Sequence, residues 1–284
     1  MTALILGLVA ALAWGTHDVC VRYVSQNNGI FAPLVWVLAF GLMIVTPISA
    51  YAGLQTPQGG NIGLALLAGV FFGIGGTALY RAFSIGPVRL VAPVIGAYPI
   101  LSVGWASLNG APTTALEWIM VGLIICGVAY IAQSDAGHDP AEAPASPLPA
   151  IGWSLLAAAG FALTFAIGHQ ATATGGELLL LAPTRAAALA VVLGFALALR
   201  APLSLSRRHA PLLLLMGTLD ALAIGCVIGA GQTARPEFAA IGASTFGVIT
   251  VLFAAIFLRE RLRGTQWLAV LGVFTAIGIL GGGH

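Results

Sequence analysis

Long apolar runs alternate with short polar breaks along the whole chain. Crossing a hydrocarbon layer takes about 20 mostly apolar residues in an α-helix. Ten runs match that scale: 3–24, 31–52, 62–83, 88–108, 115–132, 150–170, 178–199, 211–232, 238–258 and 265–281. The breaks carry turn chemistry. Asn27-Asn28-Gly29 ends the first run, Gln55 to Asn61 with Pro57 separates the second from the third, and Gly86-Pro87 and Asn109-Gly110-Ala111-Pro112 bracket the fourth. The longest break, 133–149, holds Asp135, Asp139, Glu142 and four prolines and reads as a flexible, solvated linker.

That linker divides one membrane domain into halves of five predicted helices, 1–132 and 150–284, and the second half echoes the first. At a shift of 149, Pro236 falls on Pro87, Ile249 on Ile100, Ala255 on Ala106, Trp267 on Trp118 and Val270 on Val121. Gly29 matches Gly176 at 147 and Gly69 matches Gly217 at 148, the drift expected from small indels in loops. Five helices is an odd number, so the second copy enters the membrane from the opposite side. The predicted fold is therefore all-α and integral to the membrane, with ten transmembrane helices in two inverted five-helix repeats. Glycines at helical spacing, Gly69 and Gly73 with Gly75 and Gly76, then Gly225 and Gly229 with Gly231, suggest close helix approach in both halves.

Composition changes the picture only by fixing the solvent. The chain has 284 residues, 59% hydrophobic and 7% charged, where a soluble domain carries about a quarter charged residues. A net charge of +2, from arginines with no lysine, excludes a nucleic-acid surface. Cys20, Cys126 and Cys226 fall in apolar runs without metal or redox spacing and read as small packing residues. No Lys or Arg precedes Arg22, so the first run reads as a retained helix rather than a signal peptide.

Ionisable groups inside a membrane mark cavities or partners. Asp220 lies ten residues into its run, at the predicted midplane, and is a coupling candidate able to exchange a proton; a structural hydrogen bond to a neighbouring helix is the alternative. His17 and the second coupling candidate, Asp18, lie two-thirds along the first run, one turn after Trp14. Arg185 could hold a substrate carboxylate, snorkel to the interface or neutralise Asp220. His169 and Arg22, near helix ends, read as solvated. Candidate solute-binding aromatics are Trp14, Tyr80, Tyr98, Phe165 and Phe246, with Trp105 on the face of Tyr98; rings stack on apolar groups and attract ammonium, although Trp and Tyr also mark interfaces. Ser244, Thr245 and Gln232 offer neutral hydrogen bonds. Pro93 and Pro99 interrupt the fourth run, and Gly242 and Gly247 occupy the related part of the ninth; these four are hinge candidates.

Enzyme motifs are absent: there is no HExxH, GxSxG, phosphate loop or dinucleotide fingerprint. A channel would show a filter loop or a ring of charge, and neither is visible. The turn Leu258-Arg259-Glu260-Arg261-Leu262, shortly before Gln266-Trp267, resembles the hairpin of the EamA family in the drug/metabolite transporter superfamily. The resemblance covers essentially the whole chain, and departs from the family at Asn109-Gly110-Ala111-Pro112, where a charged turn is common. Within the family the chain looks most like exporters of aromatic and other neutral amino acids of the YddG type. The resemblance implies a central cavity walled by helices one, three, four, six and nine, and a gradient-driven or facilitative exporter working by alternating access. The expected setting is the bacterial inner membrane, with a small-molecule substrate, lipid as the only other partner, a monomeric state and no cofactor or metal. Export of other drugs or metabolites, such as cationic aromatic compounds, is the alternative. Nine arginines, Arg22, Arg81, Arg89, Arg200, Arg207, Arg208, Arg259, Arg261 and Arg263, belong to one face, which excludes both termini and marks the cytoplasmic side.

Overall fold

The computed structural model describes residues 2–55, 60–97, 101, 114–133, 146–172, 174–204, 207–230, 242–243, 245–260 and 262–282. Ten α-helices and no strand occur among them. In the first half these are α1 (Thr2–Asn28), α2 (Phe31–Gln55), α3 (Ile62–Ile85), α4 (Val88–Gly96) and α5 (Ala115–Gln133). The second half has α6 (Leu148–Ala171), α7 (Leu181–Ala198), α8 (Ala210–Ala230), α9 (Phe246–Phe257) and α10 (Gly264–Gly282), with a short 3-10 turn, Arg207–His209, before α8. Six helices, α1, α2, α3, α6, α7 and α8, are long and apolar enough to cross a membrane. Their outer faces are studded with exposed aliphatic side chains such as Leu12, Leu66, Leu155 and Leu197, a surface that lipid solvates and water does not.

The fourth and ninth runs, where interrupting prolines and hinge glycines are expected, hold shorter helices among the described residues. Helix α4 ends at Gly96, three residues before Pro99, and Pro93 inside it lacks the N–H that would bond Arg89 O. Helix α9 begins only at Phe246; ahead of it Gly242 and Ala243 are helical, and Thr245 turns back, its N–H and hydroxyl both donating to Gly242 O at 3.2 and 2.7 Å. Pro99, Tyr98, Trp105, Ser244, Gln232, the Asn109–Pro112 turn and most of the linker lie outside the described residues.

Local chemistry at the helix starts repeats between the halves. Thr114 and Glu117 form a capping box at α5: the Glu117 carboxylate accepts from Thr114 N at 2.5 Å, and Thr114 Oγ1 accepts from Glu117 N at 3.3 Å. At the same shift of 149, Gln266 Oε1 accepts from Arg263 N at 2.8 Å at the start of α10.

Packing repeats in the same way. Helix α3 packs on α6 and α7, while α8 packs on α1 and α2; α4 packs on α6, while α9 packs on α1; α2 meets α7, α4 meets α9 and α5 meets α10. The closest crossings use glycine. A methyl on Gly69 would run into Thr184 O and lie 2.7 Å from Ala187 Cβ; one on Gly217 would lie 2.8 Å from Val37 O and 3.0 Å from Gly41 N. Val37 precedes Thr184 by 147 residues and Gly69 precedes Gly217 by 148, so these two crossings join related positions. Gly225, expected to pack closely, faces open space instead, and Gly217 makes the close approach in α8.

Candidate functional site

Two adjoining chambers run into the bundle. The inner one, of about 110 Å³, is walled by Trp14, His17 and Asp18 of α1, by Phe72 and Tyr80 of α3, by Phe161 and Phe165 of α6, by Asp220 of α8 and by Phe246 of α9. Leu34, Val37 and Leu38 of α2, Gly76 and Leu79 of α3, Ile95 of α4 and Ala243 complete it. By the same measure one water takes about 10–15 Å³, so the chamber suits a solute of roughly ten heavy atoms. The outer chamber, of about 260 Å³, shares Trp14, Phe72 and Phe165 and continues between α6 and α8 to Thr172 and Glu177 of the α6–α7 connection.

The inner chamber lies between related positions of the two halves. Trp14 and Phe161, and Asp18 and Phe165, stand 147 residues apart; Phe72 and Asp220 stand 148 apart. Each half therefore contributes one aspartate where the other contributes a phenylalanine.

Asp220 is fully engaged. Arg185 Nη2 of α7 lies 2.6 Å from its Oδ2, and Trp14 Nε1 donates to its Oδ1 at 3.2 Å. The guanidinium carbon sits 5.8 Å over the Phe72 ring, and a methyl on Gly41 would come within 2.5 Å of Nη1. Arg185 is 1% exposed, so it does not snorkel to the interface; it neutralises Asp220 on the wall of the outer chamber. Asp18 has a weaker partner, His17, whose Nδ1 lies 3.2 Å from Asp18 Oδ1. The His17 ring meets Tyr80 edge-on at 6.4 Å, and Trp14 meets Phe246 edge-on at 6.3 Å. Among the described residues, His17 Nε2, Tyr80 Oη and the Arg185 guanidinium nitrogens are buried with no hydrogen-bond partner, the Arg185–Asp220 contact being an ion pair.

Of the sequence-predicted binding and coupling residues, Trp14, His17, Asp18, Tyr80, Phe165, Asp220 and Phe246 converge on the inner chamber. Tyr98 and Ser244 lie outside the described residues. The hinge candidates Pro93, Gly242 and Gly247 are buried but do not line either chamber. Phe72, Phe161 and the α2 leucines escaped sequence reading because they look like any apolar residue in a lipid helix; the repeat shift alone would have pointed to Phe72 from Asp220 and to Phe161 from Trp14.

Polar bonds join helices at the end away from the outer chamber. Arg22, expected to be solvated, donates from Nη1 to Phe83 O at 2.5 Å and joins α1 to α3. Arg259, in the left-handed conformation (φ 57°), turns the chain so that Glu260 reaches the start of α4. There its carboxylate accepts from Val88 N at 2.9 Å and Arg89 N at 3.2 Å and lies 3.7 Å from Arg89 Nη1.

These features define a multi-pass helical membrane protein with a central, aromatic-walled cavity. The model of the EamA-like transporter family matches residues 1–133 and 148–282, and the chain belongs to that family of membrane transporters for small molecules. An uncharacterized protein of Methanocaldococcus jannaschii is 25% identical over 135 residues, which is 47% of this chain and 98% of that protein. A solved crystal structure superposes with a TM-score of 0.63 over 98% of this chain and 96% of that one, at 15% identity, a likeness of fold alone.

Proposed function

We propose that the protein is a secondary or facilitative exporter that moves a small amphipathic solute through the inner chamber by alternating access between two inverted five-helix repeats. One observation carries the reading: related helix pairs have unequal packing around one cavity. Helix α1 packs on α3 and is bonded to it through Arg22, whereas among the described residues α6 and α8 have no packing of that extent, and the outer chamber lies between them. An inverted repeat whose halves exchange these two arrangements closes one end while opening the other. The matched helix starts, the matched glycine crossings and a family match to each half support the repeat.

The aromatic wall suits a ring-bearing solute of amino-acid size, and aromatic and neutral amino acids, as the family resemblance suggests, belong to that class. Asp18 is the coupling group we assign, because Asp220 is already held by Arg185 and Trp14. Among the described residues the other ionisable groups around Asp18 are His17, Cys20, Tyr80 and Asp220. Counterflow in proteoliposomes tests the function. Saturable uptake stimulated by unlabelled solute inside is expected; flux that never saturates means a channel, and a chemically altered solute means an enzyme.

A further inference from the structure

The hydrogen-bonding atoms around the inner chamber are unevenly used. Trp14 Nε1 donates to Asp220, and Arg185 Nη2 lies 2.6 Å from the same carboxylate. Other polar atoms lining the chamber have no partner among the described residues. When Asp18 is ionised its oxygen only accepts, so His17 Nδ1–H donates to it, and in that tautomer of the neutral ring Nε2 is left as an acceptor. Among the described residues that Nε2 has no partner, nor has the hydroxyl of Tyr80, and both residues are more than nine-tenths buried, at 7% and 1% exposure. Asp18 itself is 4% exposed.

Charge points the same way. Arg185 offsets Asp220, and Asp18, when ionised, has only His17 beside it among the described lining residues. A buried charge without a counter-ion is expensive, so a cation entering here gains what water no longer supplies. The walls are ring faces, which attract ammonium and accept an apolar body. A ligand carboxylate, by contrast, faces two aspartates, with the Tyr80 hydroxyl as a neutral donor among the described lining residues. Arg185 has nitrogens without a hydrogen-bond partner among the described residues, but it borders the outer chamber and does not line the inner one.

We propose that the inner chamber selects a small aromatic or apolar primary amine without a free carboxylate, its ammonium held by Asp18, His17 Nε2 and Tyr80 Oη. The proposal rests on the reading of this chamber as the solute site and narrows the solute from amino acids to their decarboxylated or carboxyl-masked counterparts.

The test uses four probes with one ring: phenethylamine, phenylalaninamide, phenylalanine and 3-phenylpropionate. Binding to the purified full chain is followed by calorimetry and tryptophan fluorescence. The amine and the amide are expected to bind at least about tenfold more tightly than phenylalanine, with no binding of the acid. Asp18→Asn should bring amine and zwitterion within about threefold of each other, and Asp18→Glu should keep the preference. Tyr80→Phe, the mildest change, should weaken the amine alone. Phenylalanine binding as tightly as phenethylamine overturns the amine selection and leaves the chamber as a solute site. Binding of none of the four by a monodisperse, folded chain overturns both.

Discussion

Arg185 of α7 and Asp220 of α8 form an ion pair at 2.6 Å, and both side chains are almost wholly buried. Removing one partner strands the other charge away from water, at a cost of about 3–5 kcal/mol, whereas an apolar pair of similar volume is often neutral. Asp220→Asn and Arg185→Gln are therefore expected to lower the melting temperature in detergent sharply. The double variant Arg185→Met with Asp220→Leu should recover most of the loss. If the double variant is as unstable as either single one, the pair is more than mutual neutralisation.

The related crossings at Gly69 and Gly217 predict related penalties. Alanine at either position meets main-chain oxygen, Thr184 O or Val37 O, that cannot rotate away. Each variant should lose about 1–3 kcal/mol through forced helix separation. Gly194→Ala, where nothing lies within 4 Å, should stay within about 0.5 kcal/mol of the parent. Thermal unfolding of the three variants checks this.

Glu260 predicts a bias between the two ends. It caps α4 from the opposite half, and the residue 149 positions earlier is Ala111, which has no carboxylate to offer. Charge-assisted bonds of this kind contribute about 1.5–3 kcal/mol. Glu260→Ala should open the arginine-rich end more often. With the three native cysteines replaced by serine, Ser25→Cys is the reporter, because Ser25 is 3% exposed near that end. An impermeant thiol reagent should label it several-fold faster in the Glu260→Ala background. Equal rates would show that Glu260 does not hold this end.

Gly247 was expected to act as a hinge, and the structure puts the Phe274 ring where its side chain would be. Gly247→Ala should reduce transport several-fold. The companion change Phe274→Leu makes room for the methyl and separates the two explanations. Restored transport in the double variant assigns Gly247 to α9–α10 packing; persistent loss with normal folding assigns it to bending.

Arginine placement predicts orientation. Of the nine arginines on one face, Arg22, Arg81, Arg89, Arg200, Arg207, Arg208, Arg259 and Arg263 are described, and they belong to the end where α1 and α3 finish and α2 and α4 begin. A positive excess in short loops marks the cytoplasmic side. A reporter active only outside the cytoplasm, fused after His284, should be active. Activity of the cytoplasmic reporter instead would reverse the orientation and place the outer chamber's mouth inside.

Helix positions were legible in the sequence because lipid imposes a simple rule: backbone polar groups must bond within their own segment, so long apolar runs between turn residues become helices. The described bounds of α1, α2, α3, α5 and α6 agree with the apolar runs to within a few residues. The proposed repeat rests on sequence positions such as Gly69 with Gly217 and Trp118 with Trp267, which keep their spacing. Also legible was the list of rare polar groups, His17, Asp18, Arg185 and Asp220, since each is conspicuous in such a background. Their partnership was not. Composition allowed Arg185 to serve a solute, the interface or Asp220, and only the packing of α7 on α2 and α3, with α8 on α2, brought the guanidinium to Asp220 and left Asp18 with His17 alone. Phe72 and Phe161 were hidden for the converse reason. In lipid, a phenylalanine facing a cavity and one facing a hydrocarbon chain satisfy the same local rule, and only the three-dimensional arrangement decides which it is.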